Sequence, residues 1–135
     1  MKGEIVLVTT PMSDALERYM DLSSEELKLT AENMANLDTP GYHAQGIHFV
    51  EEMQRSLNDL MSAQTRNGVS RKAFTPAMAR VGLVDGLIER PDGNNVSMDR
   101  EGLNMSEAQL QFRTGLELLK REMARVMDAI HVDNK

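Results

Sequence analysis

From Met12 to Leu37 the chain holds neither Pro nor Gly, and Leu16, Met20, Ser24, Leu27, Ala31 and Met34 fall at alternating steps of four and three. This spacing predicts a helix with one narrow apolar or small seam. Ser13 is placed to cap its start, and the pair Ser23-Ser24 weakens its middle. The helix stops at Asp38-Thr39-Pro40-Gly41, because Pro disfavours a helical Thr39 and Gly permits a sharp exit. At about 1.5 Å per residue, such a helix is roughly 39 Å long.

The other end of the chain mirrors it. Asp99 is the predicted N-cap of a closing helix in which Met105, Ala108, Phe112, Leu116, Leu119, Met123, Val126 and Ile130 recur at steps of three and four. This is the strongest periodic signal in the sequence. Charged residues fall between the seam positions, with Glu117 and Arg121 spaced for an i,i+4 pair. Gly102 and Gly115 interrupt the pattern, each at a cost of up to about 1 kcal/mol against Ala in an isolated helix.

Between these helices the pattern weakens. Phe49, Met53, Leu57, Leu60 and Met61 share one face of a shorter helix over residues 49–61. Residues 62–80 carry Arg66, Arg71 and Lys72 without a sustained apolar period, which predicts a mobile, locally basic loop. Val81 to Arg90 reads as a short β excursion, and Pro91-Asp92-Gly93-Asn94 as a turn. The expected fold is mainly α: long terminal helices pair as a coiled-coil-like hairpin around a partly disordered middle with a short β excursion. The expected divisions are an extension at 1–11, the first helix and its exit at 12–42, a middle segment at 43–98, and the closing helix and tail at 99–135.

Composition narrows the function. With two Tyr, three Phe and no Trp, the core must be aliphatic, and eleven Met suit irregular helix contacts. Fifteen basic against twenty-one acidic residues give a net charge of −6, which repels nucleic acid and an anionic membrane surface. The absence of Cys removes disulfides, thiolate metal sites and thiol catalysis. No apolar run approaches the roughly 20 residues needed to span a bilayer, and the opening residues lack the apolar stretch of a cleaved Sec signal.

No catalytic constellation can be assembled from these residue types. His43 and His48 fall in a loop and His131 near the C-terminus, where packing or surface roles outweigh metal ligation. Asp92-Gly93-Asn94-Asn95 lacks the further acidic positions of a calcium loop, and Gly82 and Gly86 lack phosphate-loop spacing. The expectation is no enzyme and no cofactor or metal. The Met-rich seams are either a private two-helix core or a surface shared with partner helices. Their narrowness, and the few apolar residues available to cover them, favour sharing.

One string is more specific than any of this. Ala31-Glu32-Asn33-Met34-Ala35-Asn36-Leu37-Asp38-Thr39-Pro40-Gly41-Tyr42 closely resembles the N-terminal signature of bacterial flagellar axial proteins, the family of rod, hook and hook-associated subunits. Its core is Ala35, Asn36, Thr39, Pro40, Gly41 and Tyr42. The short length, together with Asp92 to Val96, Asp99-Arg100-Glu101 and a long closing helix, looks like a proximal rod subunit of the basal body. The resemblance covers roughly residues 12–50 and 92–130. Met34 stands where Ile is usual, and Gly46-Ile47-His48-Phe49 replaces a more acidic approach to the Phe.

The resemblance implies a structural protein whose terminal helices pair and whose copies stack into the drive shaft crossing the periplasm. The implied partners are copies of itself, other rod proteins and the basal-body inner ring or its rod adaptor, with export through the flagellar type III apparatus and no cleaved signal. It makes Ala35 to Tyr42 an assembly motif; on spacing alone they are a helix stop. A soluble helical adaptor or secretion chaperone, offering a groove to partner helices, is the alternative.

Overall fold

A computed structural model describes residues 9–65 and 77–132. The predicted basic loop lies largely outside the described residues, as do the first eight residues of the N-terminal extension.

Helix α1 spans Pro11–Ala35. Thr10, not Ser13, is its N-cap: the Thr10 hydroxyl accepts from Ser13 N–H at 3.0 Å, and Ser13 Oγ accepts from Thr10 N–H at 2.9 Å. Ser13 is the reciprocal partner of a capping box, and Pro11 needs no hydrogen bond in the first turn. A strand β1 (Gln45–Ile47) follows the exit and leads into α2 (Phe49–Thr65), one turn longer than the sequence period implies. Residues 62–65, expected in the loop, thus continue the helix. The β excursion condenses to β2 (Val81–Leu83), which pairs antiparallel with β1, Gly46 standing opposite Gly82.

The last element, α3 (Met98–Val132), begins just before Asp99, which lies in its first turn instead of capping it. At about 1.5 Å per residue α3 is ~52 Å long against ~37 Å for α1. Contacts of α1 with α3 dominate the tertiary structure. Three contacts fix an antiparallel register: Thr10 Oγ1 donates to Glu122 Oε1 at 2.9 Å, Met20 lies against Gly115, and Asn33 Nδ2 donates to Glu101 Oε2 at 3.1 Å. The end of α3 beyond Glu122 therefore runs past the start of α1.

The apolar core is small: Leu22, Leu29, Ala44, Leu60, Val96 and Ala108 are its buried members among the described residues. Buried polar side chains complete it. Arg18 of α1 donates from Nε to Ser56 Oγ of α2 at 2.9 Å, with Glu52 3.8 Å from its NH2. Glu52 also pairs with Arg55, so one carboxylate balances two guanidinium groups where α2 meets α1. Beside this link the Tyr19 and Phe49 rings meet edge to face at 5.2 Å.

Candidate assembly site

The exit from α1 is a joint built by three asparagines. Asn33, almost fully buried, uses both ends of its carboxamide. Its Nδ2 donates to the Gln45 carbonyl at 2.9 Å and to Glu101; its Oδ1 accepts from Gln45 N–H at 2.9 Å and from the Tyr42 hydroxyl at 3.2 Å. The end of α1, the start of β1 and the first turn of α3 thus meet on one side chain. Burial pushes the Tyr42 hydroxyl above its ordinary pKa, and the charges of Glu32 and Glu101 add to that, so it stays a neutral donor.

Asn94 is fully buried and donates from Nδ2 to the carbonyls of Asn36 at 3.0 Å and Thr39 at 2.8 Å. The same carbonyls accept the backbone N–H groups of Thr39 at 3.0 Å and Tyr42 at 3.2 Å, so Asn94 adds a second bond to each of two consecutive turns. Asn95 Oδ1 accepts from Ala44 N–H at 2.7 Å. Gly41, at φ 72°, turns its N–H onto the Asp92 carbonyl at 2.9 Å, a conformation natural for glycine and strained for other residues. Asp92 Oδ1 accepts from Asn94 N–H at 3.0 Å, so Asp92 to Asn95 form a turn fitted to the exit. The Arg90 guanidinium donates to the Leu37 carbonyl.

Within the motif, Asn36 and Tyr42 are half-buried, whereas Ala35, Thr39, Pro40 and Gly41 face solvent. Backbone groups of Asn36, Thr39, Gly41 and Tyr42 hold the joint, and the Thr39-Pro40 side chains are left outside. Asn33, Asn94 and Asn95 do not stand out as site residues in the sequence. Their signal is present only as amides flanking a helix end and a turn.

The helix seams distribute less evenly. Leu16, Met20, Leu27 and Met34 are half-buried on α1, but Ala31 is exposed, as is Ser24. On α3, Ala108 is buried and Met105, Phe112, Leu116, Leu119 and Val126 are half-buried, while Met123 and Ile130 are exposed. The deepest line of α3 runs Glu101, Ala108, Gly115 and Glu122, seven residues apart and mostly small or polar. Gly115 lies at the point of closest approach: a Cβ there would stand 2.8 Å from Met20 Cγ and 3.0 Å from Tyr19 Cδ1. Glu117 pairs with Lys120 at 2.8 Å, not with Arg121, although Arg121 also helps hold its carboxyl below the usual range.

Chemistry is sparse elsewhere. No group of three or more His, Cys, Asp or Glu among the described residues is arranged to hold a metal, and no described helix is long and apolar enough to cross a membrane. A cleft of about 320 Å³ between α1, α3 and β1 is lined by Leu29, Phe49 and Val84 with Glu26 and Glu107. Burial holds the Glu26 carboxyl above its ordinary pKa, and the Glu107 charge reinforces it.

A helical hairpin with a stitched exit and little core of its own is the build of a structural subunit, and the relatives of this chain say which kind. It is 29% identical over 129 residues to the flagellar basal body rod protein FlgB of Escherichia coli K12, a match covering 87% of this chain and 91% of that protein. Against FlgB of Cereibacter sphaeroides it is 33% identical over 105 residues, covering 76% and 80%. FlgB of Borrelia hermsii is 29% identical over 108 residues, covering 73% and 80%. No protein-family model matches the chain. These likenesses place it among the structural proteins of the bacterial flagellar rod. Within that class, the chain belongs to the FlgB family of flagellar basal body rod proteins.

Proposed function

We propose that this subunit assembles with copies of itself and with other rod proteins into the drive shaft that crosses the periplasm. In this reading it is exported through the flagellar type III apparatus without a cleaved signal and meets the inner ring or its rod adaptor. Ala35, Asn36, Thr39, Pro40, Gly41 and Tyr42 set the angle at which the chain leaves α1, and the α1–α3 hairpin is the packing unit.

The observation that carries the proposal is the unequal coverage of α3. One line of the helix packs on α1, while Leu103, Leu110, Leu118 and Met127 remain 44–69% exposed. Leu103 and Leu110 share one line with Leu118 and Met127 to either side of it, and apolar side chains left bare on a long helix, with so few buried apolar residues among those described, are surface for neighbouring helices to cover. Imaging labelled chain in isolated basal bodies tests the proposal, with density expected in the rod. Label confined to the cytoplasm, together with strong amide-exchange protection of residues 103–130 in the purified monomer, would favour the adaptor reading instead.

A further inference from the structure

Among the described residues, the two-stranded sheet has one covered edge and one open edge. Val84 N–H donates to the Ala44 carbonyl at 2.9 Å, and Gly82 stands opposite Gly46. Alternation along an antiparallel ladder therefore turns the N–H and C=O of Val81 and Leu83 away from β1. On β1 the same alternation turns Gln45 outward, and there the Asn33 carboxamide accepts its N–H and donates to its carbonyl, as a neighbouring strand would. No comparable partner meets the outward groups of Val81 and Leu83 among the described residues. Their side chains are 45% and 60% exposed, and Met78 and Ile88 nearby are 92% exposed. An unpaired, apolar edge is a template for another strand.

We propose that this edge receives Ile5-Val6-Leu7-Val8 from a second copy of the chain. The inference rests on the self-assembly reading and adds a specific contact to it. The run is rich in β-branched residues, which favour a pleated strand. Opposite charges flank the two segments, Glu4 before the run and Arg80 before β2.

The chain's own run does not reach. The Gln45 end of the sheet is held at Asn33, about six turns or ~33 Å up α1 from Pro11, while Phe49, just past the other end of β1, packs on Tyr19, so the Val81 end lies lower, at roughly 20 Å. Fully extended from Thr10, Ile5 lies at most about 17 Å away. A copy displaced along the hairpin axis by roughly one length of α1 brings its own run to the open edge, so each subunit extends the sheet of the next. That is a head-to-tail contact, which propagates instead of closing on itself.

Because the chain lacks Cys, introduced thiols report the contact cleanly. Flagellated cells without their own copy are given two versions of the full chain, Val6→Cys and Val81→Cys, and basal bodies are isolated and mildly oxidised. A second register, Val6→Cys with Leu83→Cys, is read alongside it. The expected result is a covalent dimer in at least one register, absent when either thiol is omitted. It should also be lost when Leu83→Pro is added to the Val81→Cys chain, since that change removes an outward N–H and leaves the β1 ladder intact. Basal bodies that contain both chains but yield no dimer in either register overturn the contact and leave the rod reading standing. A disulfide from Val81→Cys to Phe74→Cys within one chain also overturns it, by showing that the edge is covered from inside. Absence of the unsubstituted chain from basal bodies would defeat the rod reading itself.

Discussion

Asn33 shows how one side chain can decide where a helix ends and what it meets. A carboxamide offers an acceptor and a donor pair in one plane, the requirement for sealing the Gln45 backbone while still binding Tyr42 and Glu101. Asn33→Ala would leave those groups unpaired in a buried place, at a cost of about 2 to 4 kcal/mol. Asn36, whose side chain bonds only at the surface, should lose less than about 1 kcal/mol on the same change. Urea unfolding of both variants checks the contrast. Equal losses would remove Asn33 from the centre of the joint.

At the scale of elements, the α1–α3 pairing depends on smallness as much as on apolar area. Gly115→Ala gains up to about 1 kcal/mol of helix propensity, but its methyl must displace Met20 mid-chain and the Tyr19 ring, with a strain of about 1 to 3 kcal/mol. The change should destabilise. Gly102→Ala meets nothing within 4 Å and should stabilise by about 0.5 to 1 kcal/mol. Thermal unfolding should therefore move in opposite directions for two formally identical substitutions, and a shared sign would refute the close approach at Gly115.

The same pairing carries a pH dependence. Glu26 is half-buried with Glu107 and Tyr19 near it, and its folded-state pKa lies above the unfolded value. Below the unfolded value both states are protonated and nothing is lost. As pH rises through the folded value, the folded chain takes on the cost of an ionised, poorly solvated carboxylate. Glu26→Gln should thus raise the urea midpoint more at neutral pH than below the carboxylate range. A gain independent of pH would place its origin elsewhere.

Apolar periodicity gives the two long helices, but it cannot find a packing face whose deepest positions are Glu101, Gly115 and Glu122. For that reason it points to Leu116 where Gly115 is the buried position, and to Ala31 where Thr30 is. Strand β1 was illegible because three residues centred on Gly46 show no alternation and depend on Asn33 for their outer edge. By contrast, the exit was readable from Thr39-Pro40-Gly41, since restricted and permissive backbones leave their mark in residue type. Its fastening to Asp92–Asn95 was not, because a contact across some fifty residues has no local signal.

For the whole molecule, the decisive feature is how α3 divides its surface between this chain and others. Leu103 and Leu110 stand two turns apart at 69% and 67% exposed, off the line that meets α1. Replacing both with Glu removes little area that folding buries, so the monomer should keep its stability to within about 0.5 kcal/mol per site. In an assembly the same two carboxylates would enter a helix contact without cations prepared for them, a cost of several kcal/mol if both are buried. The chain already carries a net charge of −6, so added acid should not impair its solubility. The expected outcome is a soluble subunit, with melting close to that of the unsubstituted chain, that fails to restore swimming and is missing from basal bodies. Leu103→Gln with Leu110→Gln should show a milder version of the same loss, since a buried amide costs less than a buried charge. If the Glu pair swims normally, the exposed stripe is not a subunit contact and the hairpin must meet its neighbours through another face.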